Sequence, residues 1–504
     1  MSFNRSSVIR GALVLTPGAP QATALDVLIE DGRVSALGPY GMTVPEDTEV
    51  INAHDRLLVP GLVNSHTHAH GGLGKGAVGD RLPLEVFLTG SSALNGSRTV
   101  DDKYLSAQLS AVEMVRKGCT AAYDLFVEFP LPSLEGVEAV AQAYKDVGMR
   151  AVIAPMIADR TLYQAYPGLI DALPAELKAT ARKAAAAPYA ETLSACRHIF
   201  ENWSFDRDQV RPALGPTIPM HCSDEFMTGC RDLAQELGLG IQTHLAESAA
   251  QAVIARQRYG KSLTAHLSDL GLLNERFSGA HAIWIDKDDM RRIADAGGAV
   301  AHNPLSNLRL GSGIAAVRSM LECGLTVGIG TDAANTSDTQ NMFEATRLAA
   351  YLSRIRGPEN REWLSAQEAF TLATKGSARV LGFGEQLGSI TPGAFADLVF
   401  VDLAHINYVP LRDALLQLVN GESGTAVESV MVGGRFILRH GEMLTVNEAQ
   451  MRRSAESARD RLDGANAEVR RIAKALEYWV GEFCVAQSCQ NRHHTHTHTN
   501  TQER

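Results

Sequence analysis

The strongest constraint on this chain is an alternation of short β-branched runs, each ending in polar residues, with amphipathic helical stretches. The runs end at Val63, Asp124, Met156, Leu214, His244, Trp284, His302 and Thr331. The helical pattern falls on residues 101–117, 134–147, 223–237, 249–259, 287–296, 315–323 and 340–356. Eight strands with intervening helices predict an α/β fold, a parallel (β/α)8 barrel of TIM type. An open doubly wound sheet would be expected to carry a G-x-G-x-x-G turn after its first strand, and none occurs there. Residues 172–203, rich in Ala, Lys and Glu, read as an inserted helix or hairpin.

The two ends of the chain have a different texture. Residues 12–15, 26–30 and 34–37 are β-type runs punctuated by Gly, Pro and Asp, and the same pattern returns in ADLVFVD at 396–402 and VESVMVGGRFIL at 427–438. The ends are therefore expected to build one small sheet domain from residues 1–57 and 385–445, around a barrel of residues 58–384. Residues 446–489 are helical by pattern. Residues 490–504 form a polar, His-rich tail, expected to be disordered; His493, His494, His496 and His498 could bind a transition metal, but the favoured reading gives the tail no part in the chemistry.

Composition narrows the function classes. A chain of 504 residues can bury a large barrel and a satellite domain, and 45% hydrophobic with 21% charged residues is ordinary for a globular protein. A net charge of −10 argues against a nucleic-acid or anionic-membrane surface. No apolar run approaches the roughly 18 residues of a membrane helix. The apolar stretch 11–15 is too short for a secretory signal core and reads as a strand. Seven scattered cysteines without a C-x-x-C pair argue against a disulfide framework or a cysteine-zinc knuckle and make a reducing cytoplasm the default expectation.

The most informative segment is PGLVNSHTH, residues 60–68. Residues two apart in a strand share a face, so His66 and His68 could bind one ion. The pair alone would also describe two surface imidazoles. What raises it is recurrence at other strand ends, the face where barrel active sites are built: His244, His281, His302 with Asn303, and Asp332.

Taken together, PGLVNSHTH (60–68), GPTIPMHCSDE (215–225), THLAES (243–248), GAHAIWID (279–286), AHNPLSNLRLGSG (301–313) and GTDAANTSD (330–338) resemble the amidohydrolase superfamily. The closest likeness is to its deaminase and chlorohydrolase branch of triazine hydrolases, guanine deaminases and adenosine-type deaminases. The resemblance covers nearly the whole chain and implies a small β-sandwich of both chain ends beside the barrel. It implies that His66, His68, His244 and Asp332 bind one divalent ion, usually zinc and sometimes iron. Two-metal members often carry a carboxylated lysine after the fourth strand; the stretch 215–221 has none, so one ion is expected.

The resemblance further implies that Glu247 carries protons between ring nitrogen and leaving group, that Asp332 also accepts a proton from the bound water, and that His281 steadies the reacting centre. Asn303, Ser306 and Asn307 either face a heterocycle or tie their own loop together. His302, His221, His70 and Arg160 are further candidate substrate contacts. Gly71, Gly72, Gly74 and Gly76 suggest a close or mobile loop, and Lys75 has no assigned role. The implied activity is a deaminase, an aminohydrolase attacking a small nitrogen heterocycle through metal-bound hydroxide; the same residues could expel chloride or cleave a urea, carbamate or amide. A non-catalytic scaffold is disfavoured because every ligand position is filled. One departure stands out: adenosine-type members commonly have a purine-contacting histidine where this chain has Thr217, which weighs against adenosine-type substrates unless His221 takes that place. The implied partner is a small molecule, with a homodimer or larger homo-oligomer as the working form.

Overall fold

Residues 6–489 are described by a computed structural model. The expectations for the tail, including its four histidines, lie outside the described residues. Five strands open the chain: β1 (Ser7–Val14), β2 (Thr23–Glu30), β3 (Arg33–Gly38), β4 (Glu49–Asn52) and β5 (Arg56–Pro60). Eight strands alternating with helices follow, namely β6 (Leu62–Thr67), β7 (Cys119–Val127), β8 (Arg150–Ile157), β9 (Val210–Pro216), β10 (Gly240–Leu245), β11 (Phe277–His281), β12 (Ala299–His302) and β13 (Thr326–Ile329). The chain returns to β14 (Leu398–Asp402), β15 (Val427–Val432), β16 (Arg435–Arg439) and β17 (Glu442–Met443).

Strands β6 to β13 are parallel, and each pairs with its neighbour in chain order. The barrel closes where β13 meets β6: the Asp332 N–H donates to the His66 carbonyl at 3.0 Å, and Asn64 Nδ2 donates to Thr331 Oγ1 at 2.7 Å. Three strand ends differ from the sequence reading by three residues or more. β7 runs past Asp124 to Val127, because the buried Asp124 carboxylate finds a partner in the Ala69 N–H. β6 runs past Val63 to Thr67, because the polar residues that seemed to end it find buried partners: Asn64 on Thr331, His66 on Gln242, Thr67 on Gln340. β11 stops at His281, short of Trp284, because His281 and Ala282 take φ of 69° and 47°, outside the strand region. The insertion is a pair of helices, Ala175–Lys183 and Tyr189–Glu201.

The end strands form one nine-stranded sheet in the order β17-β16-β15-β14-β5-β1-β2-β3, with β4 on β1. Its core is aliphatic and aromatic, including Ile9, Val27, Ile29, Leu58, Phe400 and Met431. β5 and β6 are separated only by Gly61, where a Cβ would run into the side chain of Thr120, so only glycine lets the chain pass directly from sheet to barrel. A buried two-pronged ion pair ties the two bodies: Arg150 Nε and Nη2 donate to Asp397 Oδ2 and Oδ1 at 2.8 and 3.1 Å. The C-terminal segment is two helices, Glu448–Ala465 and Ala467–Cys489. The second buries Val480 and Cys484 and packs on the helices Leu84–Thr89 and Ala249–Tyr259 beside the barrel mouth. Among the described residues no helix is long and apolar enough to cross a membrane.

Candidate metal centre and active site

At the C-terminal rim of the barrel, β6 supplies His66 and brings in His68 directly after it, β10 supplies His244, and the loop after β13 supplies Asp332. These groups converge. His68 Nε2 lies 3.1 Å from His244 Nε2 and 3.1 Å from Asp332 Oδ1, and His66 Nε2 lies 3.7 Å from the same carboxylate oxygen. All four residues are buried, none more than 8% exposed.

The outer nitrogens of the imidazoles show what the inner ones are for. His66 Nδ1–H donates to Gln242 Oε1 at 2.7 Å, His68 Nδ1–H donates to the Leu125 carbonyl at 2.6 Å, and His244 Nδ1 pairs with the Thr217 hydroxyl. A ring whose Nδ1 carries the proton turns a lone pair outward on Nε2. His68 Nε2 stands 3.1 Å from both His244 Nε2 and Asp332 Oδ1, the Asp332 carboxylate raising the His68 pKa against the effect of burial, and His66 Nε2 is buried with no hydrogen-bond partner. Such a cluster of imidazole nitrogens around a carboxylate suits a cation. Tetrahedral zinc with bonds of about 2.0 Å has donor-to-donor edges of about 3.3 Å, close to the spacings here. Burial, and then the charge of neighbouring imidazoles, hold His66 and His244 well below the usual imidazole pKa, in the neutral form a metal needs. The residues present fit a divalent ion.

Glu247 and His281 stand beside this centre. His281, fully buried at the end of β11, donates from Nδ1 to Asn307 Oδ1 at 2.8 Å and places Nε2 3.6 Å from Glu247 Oε2 and 3.9 Å from Asp332 Oδ2. Glu247 Oε1 is buried without a hydrogen-bond partner. Burial, and behind it the Asp332 and Glu85 carboxylates, push the Glu247 carboxyl well above the usual range, so it is held as an acid able to give up a proton. Backbone strain gathers at this rim: Ala246, His281, Ala282 and Asp332 have φ of 45°, 69°, 47° and 62°.

The remaining sequence candidates divide. Asn303 is fully buried, and neither its amide oxygen nor its nitrogen has a partner; the Ser306 hydroxyl and His302 Nδ1 are likewise unpartnered, with burial pushing His302 down to about 3. Asn307 orients His281, so one of its two amide atoms is committed. His221 has a buried, unpartnered Nε2 and is pushed by burial down to about 4, hence neutral; its ring lies 6.2 Å from that of Tyr166. His70 sits beside His68 with ring centroids 5.2 Å apart. Arg160 lies beside His221: its backbone N–H donates to the His221 carbonyl at 2.9 Å and its guanidinium to the Cys222 carbonyl at 3.4 Å. Lys75 pairs with Glu113 on the helix Val100–Arg116.

Sequence reasoning missed Gln242, Thr217 and the Leu125 carbonyl, which fix the three imidazoles. Gln242 was discoverable, being two residues before His244 and so on the same strand face. Nothing local marked the other two.

The molecule can now be set beside known proteins. Residues 57–437 match the family model described as Amidohydrolase family. The chain is 30% identical over 466 residues, 92% of its length and 100% of the relative's, to a protein of Methanothermobacter thermautotrophicus named 5'-deoxyadenosine deaminase. It is 32% identical, over 90% of its length and 98% of the relative's, to a protein of Desulforudis audaxviator named 5-methylthioadenosine/S-adenosylhomocysteine deaminase. Among solved structures it is similar to an adenosine deaminase from Xanthomonas campestris with bound zinc, at a TM-score of 0.80 and 27% identity, covering 91% of this chain and 99% of that one.

Proposed function

Because the chain belongs to the amidohydrolase family and is a deaminase-type hydrolase of non-peptide carbon–nitrogen bonds, we propose that it replaces the exocyclic amino group of an adenosine-type nucleoside with oxygen. One zinc ion would be held by His66, His68, His244 and Asp332. The observation that carries this reading is the set of three imidazoles whose Nδ1 atoms all face outward to Gln242, the Leu125 carbonyl and Thr217, while Nε2 of His66 and His68 face one Asp332 oxygen and Nε2 of His244 faces His68. When bound, such an ion lowers the pKa of water to about 7 and supplies a nucleophile at neutral pH.

The protein's own groups do the rest. Glu247, kept protonated by its dry surroundings, gives its proton to the ring nitrogen next to the attacked carbon, which makes that carbon electrophilic. Asp332 Oδ2 and His281 Nε2, 3.9 Å apart, flank the approach and take up the proton the water sheds. Glu247, now ionised, takes the proton of the hydroxyl added to the ring carbon and delivers it to the amino nitrogen, which leaves as ammonia as the carbonyl forms; the proton held at Asp332 and His281 then restores the Glu247 carboxyl. His221 supplies the purine contact that Thr217 does not: Thr217 is committed to His244, whereas His221 Nε2 is buried, neutral and free.

The test is ammonia release by zinc-loaded protein from 5'-deoxyadenosine, 5'-methylthioadenosine, S-adenosylhomocysteine and adenosine, with guanine, cytosine and an aminated triazine for contrast. Glu247→Gln is the control and should lose about two to four orders of magnitude in turnover while keeping its metal. Activity confined to guanine or the triazine would overturn the nucleoside assignment, and near-normal turnover by the control would remove Glu247 from the mechanism.

A further inference from the structure

Glu247 has to aim its carboxyl at the reacting ring, yet Oε1 has no hydrogen-bond partner and Oε2 only faces His281 Nε2 at 3.6 Å. What holds the residue is its backbone. Ala246 before it is in the left-handed region at φ 45°, and the Glu247 N–H donates to Gln251 Oε1 at 2.9 Å. Ser248 after it caps the helix Ala249–Tyr259, its Oγ accepting the Gln251 N–H at 3.2 Å.

The proton of that same hydroxyl goes elsewhere. Ser248 Oγ donates to Glu85 Oε1, on the short helix Leu84–Thr89 in the connection after β6. The same oxygen accepts from the Tyr166 hydroxyl at 3.2 Å, in the connection after β8. Glu85 is 3% exposed and, among the described residues, has no cationic partner. Burial pushes the Glu85 carboxyl above the usual carboxylate range, and so polar a group sealed next to the site with only Ser248 and Tyr166 as side-chain partners points to a role there. The helix Ala467–Cys489 packs on both segments that Glu85 and Ser248 join.

We propose that Glu85 is a positioning residue for Glu247: through Ser248 it locks the loop after β10 against the loops after β6 and β8, and so sets where the Glu247 carboxyl stands. This rests on the reading of Glu247 as the proton carrier. Catalytic alignment is steep in distance, a misplacement of about 1 Å costing about 100-fold. A hydrogen bond that fixes the backbone beside an otherwise loosely held carboxyl is therefore a lever on turnover. The role requires an acceptor oxygen at residue 85, and an amide oxygen would serve.

The test uses the full-length zinc-loaded protein with Glu85→Ala, Glu85→Gln and Ser248→Ala, the first also combined with Glu247→Gln, on 5'-deoxyadenosine. Glu85→Ala and Ser248→Ala should lower kcat about 10- to 100-fold with KM little changed and zinc retained, and Glu85→Gln should restore most of the loss. Glu85→Ala should add nothing to Glu247→Gln, since residues acting as one unit do not sum. Amide hydrogen exchange over residues 246–251 gives a readout that needs no turnover; it should quicken in both alanine variants and return in Glu85→Gln. Unchanged exchange, a multiplicative loss on top of Glu247→Gln, or loss of zinc in Glu85→Ala would overturn the proposal. If Glu85→Ala does not fold, Ser248→Ala breaks the same link from the other side. Failure of the proton-carrier reading shows differently, as a Glu247→Gln variant that keeps its kcat.

Discussion

Replacing Thr217 by valine keeps the side-chain outline and removes one hydroxyl, which isolates a single support of His244. In the parent protein that hydroxyl pairs with the His244 ring Nδ1 and accepts from the His244 backbone N–H at 3.2 Å, in a setting where Thr217 is 7% and His244 8% exposed. Valine leaves both nitrogens facing carbon where water has little access. A buried donor without a partner costs about 1–3 kcal/mol. With its proton on Nδ1 the ring can escape that cost by moving the proton to Nε2, but in the proposed site Nε2 is the atom that presents a lone pair to the metal. Either the strain stays or the ligand is lost, and both weaken binding. Loss of such an outer partner lowers metal affinity about 10- to 100-fold, equivalent to about 1.4–2.7 kcal/mol, which matches the cost of one stranded donor. The assay is zinc competition against a chelator at fixed pH, with turnover measured at saturating zinc to separate occupancy from alignment. Zinc affinity within about twofold of the parent, in a folded variant, would refute the claim that Thr217 orients His244.

Other perturbations follow from the same geometry. His68→Ala removes the imidazole that stands 3.1 Å from both His244 and Asp332; zinc content by elemental analysis and activity should both vanish while the circular dichroism of the barrel persists, and full occupancy would remove His68 from the ligand set. Gly330→Ala places a Cβ against Asn303 Oδ1 and within 2.8 Å of the His66 backbone N and O; overpacking of this kind costs about 1–3 kcal/mol, and because His66 must move, zinc affinity should fall with stability, whereas unchanged affinity would show that β6 yields elsewhere. Asp397→Ala strands the 7%-exposed Arg150 side chain; breaking a buried pair costs about 3–5 kcal/mol, to be read as a lower urea midpoint, and a loss below about 1 kcal/mol would mean the pair is solvated like a surface bridge.

Much of the site was legible in the chain because the information is periodic. His66 and His68 share a strand face, and His244, His281, His302 and Asp332 each fall at or just beyond a β-branched run, where a parallel barrel gathers its functional groups. Strand ends were legible less well. Asn64, His66 and Thr67 looked like a terminus because polarity usually marks one, and only partners on distant strands make polar residues acceptable inside. Thr217 read as a lost purine contact because its chemistry was judged by its slot in a motif; the fold turns its hydroxyl to His244 instead.

The amino-acid sequence by itself determined the barrel, the end-built sheet and which side chains could gather around an ion, since these depend on periodicity and on residue type at strand ends. Only the tertiary structure decided how the imidazoles are turned. Their orientation depends on Gln242, the Leu125 carbonyl and Thr217, which come from other strands and become neighbours only when the barrel closes. The link from Glu85 through Ser248 to Glu247 is of the same kind: residues 85 and 248 are 163 positions apart, and no local pattern carries a hydrogen bond across that distance.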